Sequence, residues 1–292
     1  MDAVILTLFA ALPFLVLLLF LSDQDTVWSV LFVLGLICLA VFVFYSIYII
    51  PNIGNSIFKW TYIGLTGLLP AVLYMLYVIK YDKKKPEPVG YLLQAVLIGI
   101  IAAFVVTGIG SSLFIGGSEG ELKQSIINGL STGFLQIAIP AEVSKWLLLY
   151  IFLYHNKYYD EYLDGIVYSV CLSMGFASVL GIWFMSGFAD FAISTFLLKG
   201  VVSAIILIPI HLMSGAAMGY FLAISKRKSK TLNTLRSLIF PIIIDGVIFS
   251  LLATMGDFWL YYLIIVVMLF ALSIVLYGKA VDLMILDCKS NK

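Results

Sequence analysis

The chain has 292 residues, 63% of them hydrophobic and 11% charged, with 17 Lys and Arg against 16 Asp and Glu and a mean hydropathy of +1.12. Soluble domains are about 45–50% apolar and about 25% charged, so this composition excludes one and points to a protein whose solvent is lipid. A net charge of +1, with the basic residues gathered at the ends of apolar runs, excludes a phosphate-binding surface, and no nucleic-acid partner is expected.

A hydrocarbon core about 30 Å thick takes about 20 apolar residues per helix. Runs of that order predict spans at 3–21, 27–50, 60–79, 90–109, 133–154, 163–184, 191–223, 238–253 and 258–277. The fold expected is all-α, a polytopic membrane helix bundle of about nine transmembrane helices (eight to ten) with no soluble domain. The first run has no basic residue before it and no small-residue cleavage signature after it, so it reads as a retained span. The seventh run is long enough to tilt or to carry an interfacial piece, and the eighth is short. Residues 110–124 read as a flexible outer connection and 125–136 as a partly amphipathic approach to the fifth span. The longest polar stretches, 81–88 and 225–236, are too short to fold alone, and no internal repeat is visible.

Connections after odd-numbered spans, with the C-terminal tail, carry Lys80, Lys83, Lys84, Lys85, Lys157, Lys226, Arg227, Lys228, Lys230, Arg236, Lys279, Lys289 and Lys292; those after even-numbered spans carry Lys59 and Lys123. This bias places the N-terminus outside and the C-terminus in the cytoplasm of a multi-pass protein of the cell membrane. Tyr154, Tyr158, Tyr159 and Tyr162 are expected in an interfacial aromatic belt, in contact with membrane lipids. The basic groups at 83–85 and 226–230 read first as topology signals and second as anionic-lipid contacts. Cys38, Cys171 and Cys288 are too far apart for a disulfide framework or a thiolate metal site, and Cys288 is expected as an exposed, unmodified thiol.

Glu142, Asp164, Asp245 and His211 fall within apolar runs. A carboxylate near a bilayer centre costs a few kcal/mol, so such residues face the bundle interior and either pair or serve a site. At about 1.5 Å per residue, Glu142 and His211 each lie about 18 Å from the cytoplasmic ends of their spans, and Asp245 about 11 Å from the same side. One Glu, one His and one Asp can therefore converge from three helices. Asp164 opens the sixth span, near the cytoplasmic interface, where it can cap its helix. Pro140, Pro209 and Pro241 precede Glu142, His211 and Asp245 by two, two and four residues. A proline removes a backbone hydrogen bond and bends a spanning helix, and the freed carbonyls can be satisfied by trapped water. A plainer reading also stands: Glu142 and Lys145, three apart, form a buried pair, while His211 and Asp245 are ordinary core residues with hydrogen-bond partners.

The order of these motifs resembles the PrsW family of intramembrane metalloproteases, distant relatives of the CAAX-type membrane endopeptidases, over roughly residues 77–252. Tyr81-Asp82-Lys83-Lys84-Lys85-Pro86-Glu87-Pro88 is similar to the family's Asp-Arg-Tyr-Glu-Pro-Glu-Pro loop. Pro140-Ala141-Glu142-Val143-Ser144-Lys145 resembles its Glu-Glu-x-x-Lys motif, and Asp164-Gly165 through Tyr168, then Gly175-Phe176-Ala177, its Asp-Gly and Gly-Phe-Ala segments. His211 with Gly219-Tyr220 resembles its histidine-bearing span, and Asp245-Gly246 occupies the place of its final His-Gly. Ala141 stands where the family has a first Glu, Leu180-Gly181 where it has Glu-Asn, and Asp245 where it has His. Metal-dependent peptide hydrolysis needs about three protein ligands, a water and a base, and Glu142, His211 and Asp245 are one group short of that set.

The resemblance implies three regions: 1–80 with three N-terminal spans, 81–254 as the five-span protease core, and 255–292 as the last span and cytoplasmic tail. It implies a zinc-dependent protease acting on membrane-embedded or membrane-anchored proteins such as anti-sigma factors. In that reading Glu142 is base or ligand, His211 and Asp245 are ligands, Lys145 fixes Glu142, and Asp164, Pro140, Pro209 and Pro241 support the site. Enzymatic activity itself stays open, because the altered positions equally suit a metal-free pseudoprotease that binds membrane proteins as scaffold or regulator. A proton- or ion-coupled transporter is a third reading, disfavoured by the absence of repeated spans.

Overall fold

The computed structural model describes residues 56–82, 85–110, 122–187, 199–200, 202–226, 230–255 and 259–290. These form helices α1 (Ser56–Ile79), α2 (Val89–Gly110), α3 (Leu122–Leu130), α4 (Ile139–Phe152), α5 (Leu163–Ser186), α6 (Ile208–Ser225), α7 (Lys230–Met255) and α8 (Trp259–Ser290). A π-helical segment, Ser131–Ala138, joins α3 to α4, and a second, Ser203–Leu207, leads into α6. No strand occurs among the described residues. Six helical stretches are long and apolar enough to cross a membrane: Lys59–Ile79, Val89–Thr107, Ile126–Phe152, Leu163–Ser186, Ser203–Ser225 and Lys230–Thr254. Hydrocarbon offers no partner for a backbone N–H or C=O, so a spanning segment must satisfy its own, and an unbroken helix does so. The chain is a multi-pass membrane protein, all-helical over the described residues.

The expected spans at 3–21 and 27–50 lie outside the described residues, as do 111–121 of the outer connection and 191–198 of the seventh run. The ninth expected span falls within α8 from residue 259 on, but the helix does not stop at 277 and continues to Ser290. The eighth span is not short. α7 starts at Lys230, eight residues before the expected 238, because Lys and Arg are good helix formers that an apolar-run search discards. The Thr234 and Ser237 hydroxyls fold back on the carbonyls of Lys230 and Thr234, at 2.7 and 2.6 Å, which lets polar residues extend the rod.

α5 and α6 are the inner helices. Of their residues in the membrane-spanning stretch, 83% and 72% are buried inside the bundle, against 39% or less for the other four. Two apolar helices gain little hydrophobic energy by leaving lipid for each other, so close backbone packing has to hold them. Glycine provides it: a Cβ on Gly99 of α2 would overlap the Leu172 carbonyl of α5, and one on Gly175 the Val96 carbonyl. Gly165 and Gly219 play the same part between α5 and α6, each facing the other's carbonyl.

The tyrosines after α4 are not an interfacial belt. Tyr154, Tyr159 and Tyr162 are buried in the core that includes Leu163, Tyr168 and Leu222, because the connection from α4 to α5 folds back between the start of α5 and the end of α6. The Tyr154 hydroxyl lies 3.1 Å from Ser225 Oγ, the Tyr159 ring stacks on Tyr168, and Lys226 Nζ donates to the Tyr159 carbonyl at 2.6 Å. Tyr158 is half-buried against Tyr91. Cys171 is a buried free thiol of α5.

Candidate metal centre

α4 and α6 reach the centre of the bundle by the same local device. Each begins with Ile-Pro, as Ile139-Pro140 and Ile208-Pro209, and each is preceded by π-helical turns. The Ile139 N–H bonds the Phe134 carbonyl and the Ile208 N–H the Ser203 carbonyl, both five residues back. The proline that follows has no N–H for the carbonyl four residues before it, so the wide turn and the proline together interrupt the ladder at one place. Two residues on stand Glu142 and His211. In α7, Pro241 lies inside the helix four residues before Asp245. The earlier start of α7 puts Asp245 fifteen residues in, about 22 Å from the end instead of the expected 11 Å.

Glu142, His211 and Asp245 are fully buried, and each offers a ligand atom within 4.8 Å of the others. His211 Nδ1 is 3.1 Å from Asp245 Oδ2 and 4.0 Å from Glu142 Oε1. Lys145, one turn beyond Glu142 and equally buried, forms a close ion pair with Glu142 Oε1; its Nζ lies 3.4 Å from His211 Nδ1. Ser214 ties these together: its hydroxyl donates to Glu142 Oε1 at 3.1 Å and accepts from Lys145 Nζ at 3.3 Å. Phe176 meets His211 edge-on at 5.2 Å and lies under Lys145 at the same distance, while Phe249 covers His211 at 5.8 Å. These rings lower the local dielectric, which strengthens every charge interaction among the polar groups.

The arrangement leaves polar atoms over. Glu142 Oε2, Asp245 Oδ1 and His211 Nε2 are buried without a hydrogen-bond partner. Such groups cost about 1–3 kcal/mol each, more when charged, unless water or an ion meets them. One imidazole nitrogen and two carboxylates are also the donor types that a divalent transition ion takes. Ala141 points into an apolar patch with Ala102, Ala103 and Phe176, and Leu180 packs against both this patch and the neighbouring cluster of Ile206, Leu207 and Phe249. Of the altered positions, Ala141 and Leu180 thus border the polar group without adding to it, while Asp245 belongs to it.

Asp164 does not join this group. It is fully buried in the first turn of α5 and shares a second cluster with Asp82 and Glu87, again with ligand atoms within 4.8 Å of one another. Its Oδ2 accepts the Glu161 backbone N–H at 2.5 Å, so it does secure the start of the helix, from inside. Burial raises the Glu87 carboxyl to about 8, with Asp164 and Asp82 adding to the effect against the opposing hydrogen bond from Tyr168.

Ser214 escaped the sequence reading, although its three-residue spacing from His211 puts both on one helix face, as 142 and 145 are. Phe176 lies in the Gly-Phe-Ala segment that carries the resemblance, whereas Phe249 has no sequence signal that separates it from core aromatics.

The family model for the PrsW family intramembrane metalloprotease matches residues 87–275. Similar curated proteins include Protease PrsW of Bacillus subtilis, 27% identical over 68% of this chain and 85% of its own. Protease PrsW of Geobacillus kaustophilus is 28% identical over 68% of this chain and 82% of its own, and that of Clostridioides difficile 28% identical over 69% and 83%. No solved structure matches the chain.

Proposed function

The chain belongs to the PrsW family of intramembrane metalloproteases, and from that premise we propose that it hydrolyses a peptide bond of a membrane-embedded or membrane-anchored protein at the Glu142–His211–Asp245 centre. The observation that carries this is the set of partnerless buried atoms, Glu142 Oε2, Asp245 Oδ1 and His211 Nε2, on three residues within ligand reach of one another. His211 and Asp245, with Glu142 as a third ligand or as the base, would hold a zinc ion. Zinc bound there supplies the Lewis acidity that acidifies a water and polarises a peptide carbonyl.

The chain's own residues do the rest. Glu142 Oε1 is fixed by Lys145 and Ser214, which aims the partnerless Oε2 and leaves it able to accept a proton from the attacking water. Lys145 pairs with that carboxyl and stands where it can donate a hydrogen bond to the developing oxyanion. Phe176 and Phe249 exclude bulk water from around His211. The prolines at 140 and 209 open the helix ladder beside the site, which gives water and an extended substrate backbone carbonyls to bond. The N-terminus is outside and the C-terminus cytoplasmic in this reading, in the cell membrane, with anti-sigma-type membrane-anchored regulators as the substrate class.

Ala141 and Leu180, both packed against Phe176, support a second reading, in which the centre holds no metal and the fold binds a membrane protein without cutting it. Comparison of new protein N-termini in membranes from cells carrying wild type or Glu142→Gln separates the two. Fragments present with wild type and missing with the variant support proteolysis. Identical profiles, with a substrate-sized partner captured by both proteins, support the second reading.

A further inference from the structure

The intramembrane centre is not the chain's one meeting of acids. Asp82 and Glu87, from the connection between α1 and α2, meet Asp164 at the start of α5, with exposures of 5%, 8% and 0%. Three carboxyl groups with oxygens within 4.8 Å of one another cannot all be ionised without a counter-charge. Of the described lysines, Lys85 Nζ pairs with the exposed Asp160 at 2.7 Å, and Lys226 Nζ donates to the Tyr159 carbonyl. Internal donors meet some of the oxygens. The Glu87 N–H bonds Asp82 Oδ2 at 3.0 Å, the Tyr168 hydroxyl donates to Glu87 Oε2 in a close contact, and the Glu161 N–H meets Asp164 Oδ2.

The acids themselves do not establish a ligand; the leftover atoms do. Asp164 Oδ1 has no hydrogen-bond partner although its residue is fully buried, and Oε1 of Glu161, a fourth acid beside Asp164 with 6% exposure, has none either. A carboxylate with one oxygen held by a backbone N–H and the other left bare in a closed site is presented to something positive.

We propose that Asp82, Glu87 and Asp164 form a second cation site that takes a hard divalent ion, calcium or magnesium, and pins the α1–α2 connection to the start of α5. All-oxygen donors select hard ions over zinc. Oxygens on one calcium ion, with bonds of about 2.4 Å, lie up to about 4.8 Å apart, and each of the three carboxyl groups here offers an oxygen within that distance of the others. The site holds the inner helix in place at its end and is separate from peptide hydrolysis.

The neighbouring Tyr168 makes the test direct, since a tyrosine ring close to a bound terbium ion sensitises its luminescence. The full-length protein in detergent, titrated with terbium under tyrosine excitation, is expected to show saturable emission near one ion per chain. Calcium or magnesium displaces it, and the more effective of the two identifies the ion. Emission should persist in Glu142→Gln/His211→Ala, which disables the other centre, and affinity should fall by about tenfold or more in Asp164→Asn. Unsaturable emission, or equal affinity in Asp164→Asn, overturns the proposal. If Asp164→Asn does not fold, Glu87→Gln takes its place with the same expectation, and the wild-type melting temperature should rise with calcium or magnesium; no rise with either contradicts the site.

Discussion

The two acidic groups found among the described residues are closed off from water, yet they stand beside different things. Glu142 and Asp245 meet an imidazole and an ammonium in mid-span, next to interrupted ladders, whereas Asp82, Glu87 and Asp164 meet backbone N–H groups and a tyrosine where helices end. Carboxylates at a helix start can draw on unpaired backbone donors, so burial there needs little added machinery. Carboxylates in mid-span have no such donors, and the sequence provides Lys145, Ser214 and His211 in their place. The chemistry of a buried acid follows from what is beside it. The mixed nitrogen and oxygen set with a held carboxylate suits hydrolysis, and the oxygen-only set suits a structural ion.

The substitution with the largest expected effect is Glu142→Gln, which keeps shape and removes the proton acceptor. Proteolysis should fall by about 10²–10⁴-fold with folding intact, as read from fragment formation in membranes, and the calcium or magnesium site should be unchanged. Ser214→Ala comes next: loss of a hydrogen bond to a charged group is worth about 1.5–3 kcal/mol, so cleavage should drop about 10–100-fold while metal content stays within error of wild type. A drop in metal instead would mean that Ser214 shapes the ligand set and not the carboxylate alone. Gly165→Leu drives a side chain into the facing Gly219 carbonyl and should destabilise by about 1–3 kcal/mol or more, lowering the melting temperature and weakening both groups together, since α5 and α6 each carry one of their residues. The smallest effect belongs to Trp146→Phe, which removes the 2.8 Å bond to Ser237 between α4 and α7. About 1 kcal/mol of stability should go, with neither ion site altered.

The helical membrane class was legible because composition and run length answer to the thickness of the hydrocarbon, which any spanning helix must match. Helix ends were less so. Lys230 and Arg236 look like a connection by hydropathy but are good helix formers, and α7 absorbs them. The meeting of Glu142, His211 and Asp245 could be anticipated because buried charge in lipid is costly enough to restrict where such residues face. Asp82 and Glu87 read only as a loop, since nothing in a polar stretch between two spans says that it folds inward. The π-helical turns before Pro140 and Pro209 carry no composition signal at all. Proline marks where a ladder breaks, while the manner of the break depends on the neighbours, as with Gly133 of the first π segment, packed on the Gly246 carbonyl and Ser250 of α7.

Metal analysis of the purified, detergent-solubilised chain beside its His211→Ala variant tests the central claim most directly. The account predicts about one zinc per chain in wild type and its loss in the variant. Wild type without zinc after purification in its presence, or zinc retained undiminished in His211→Ala, would contradict it.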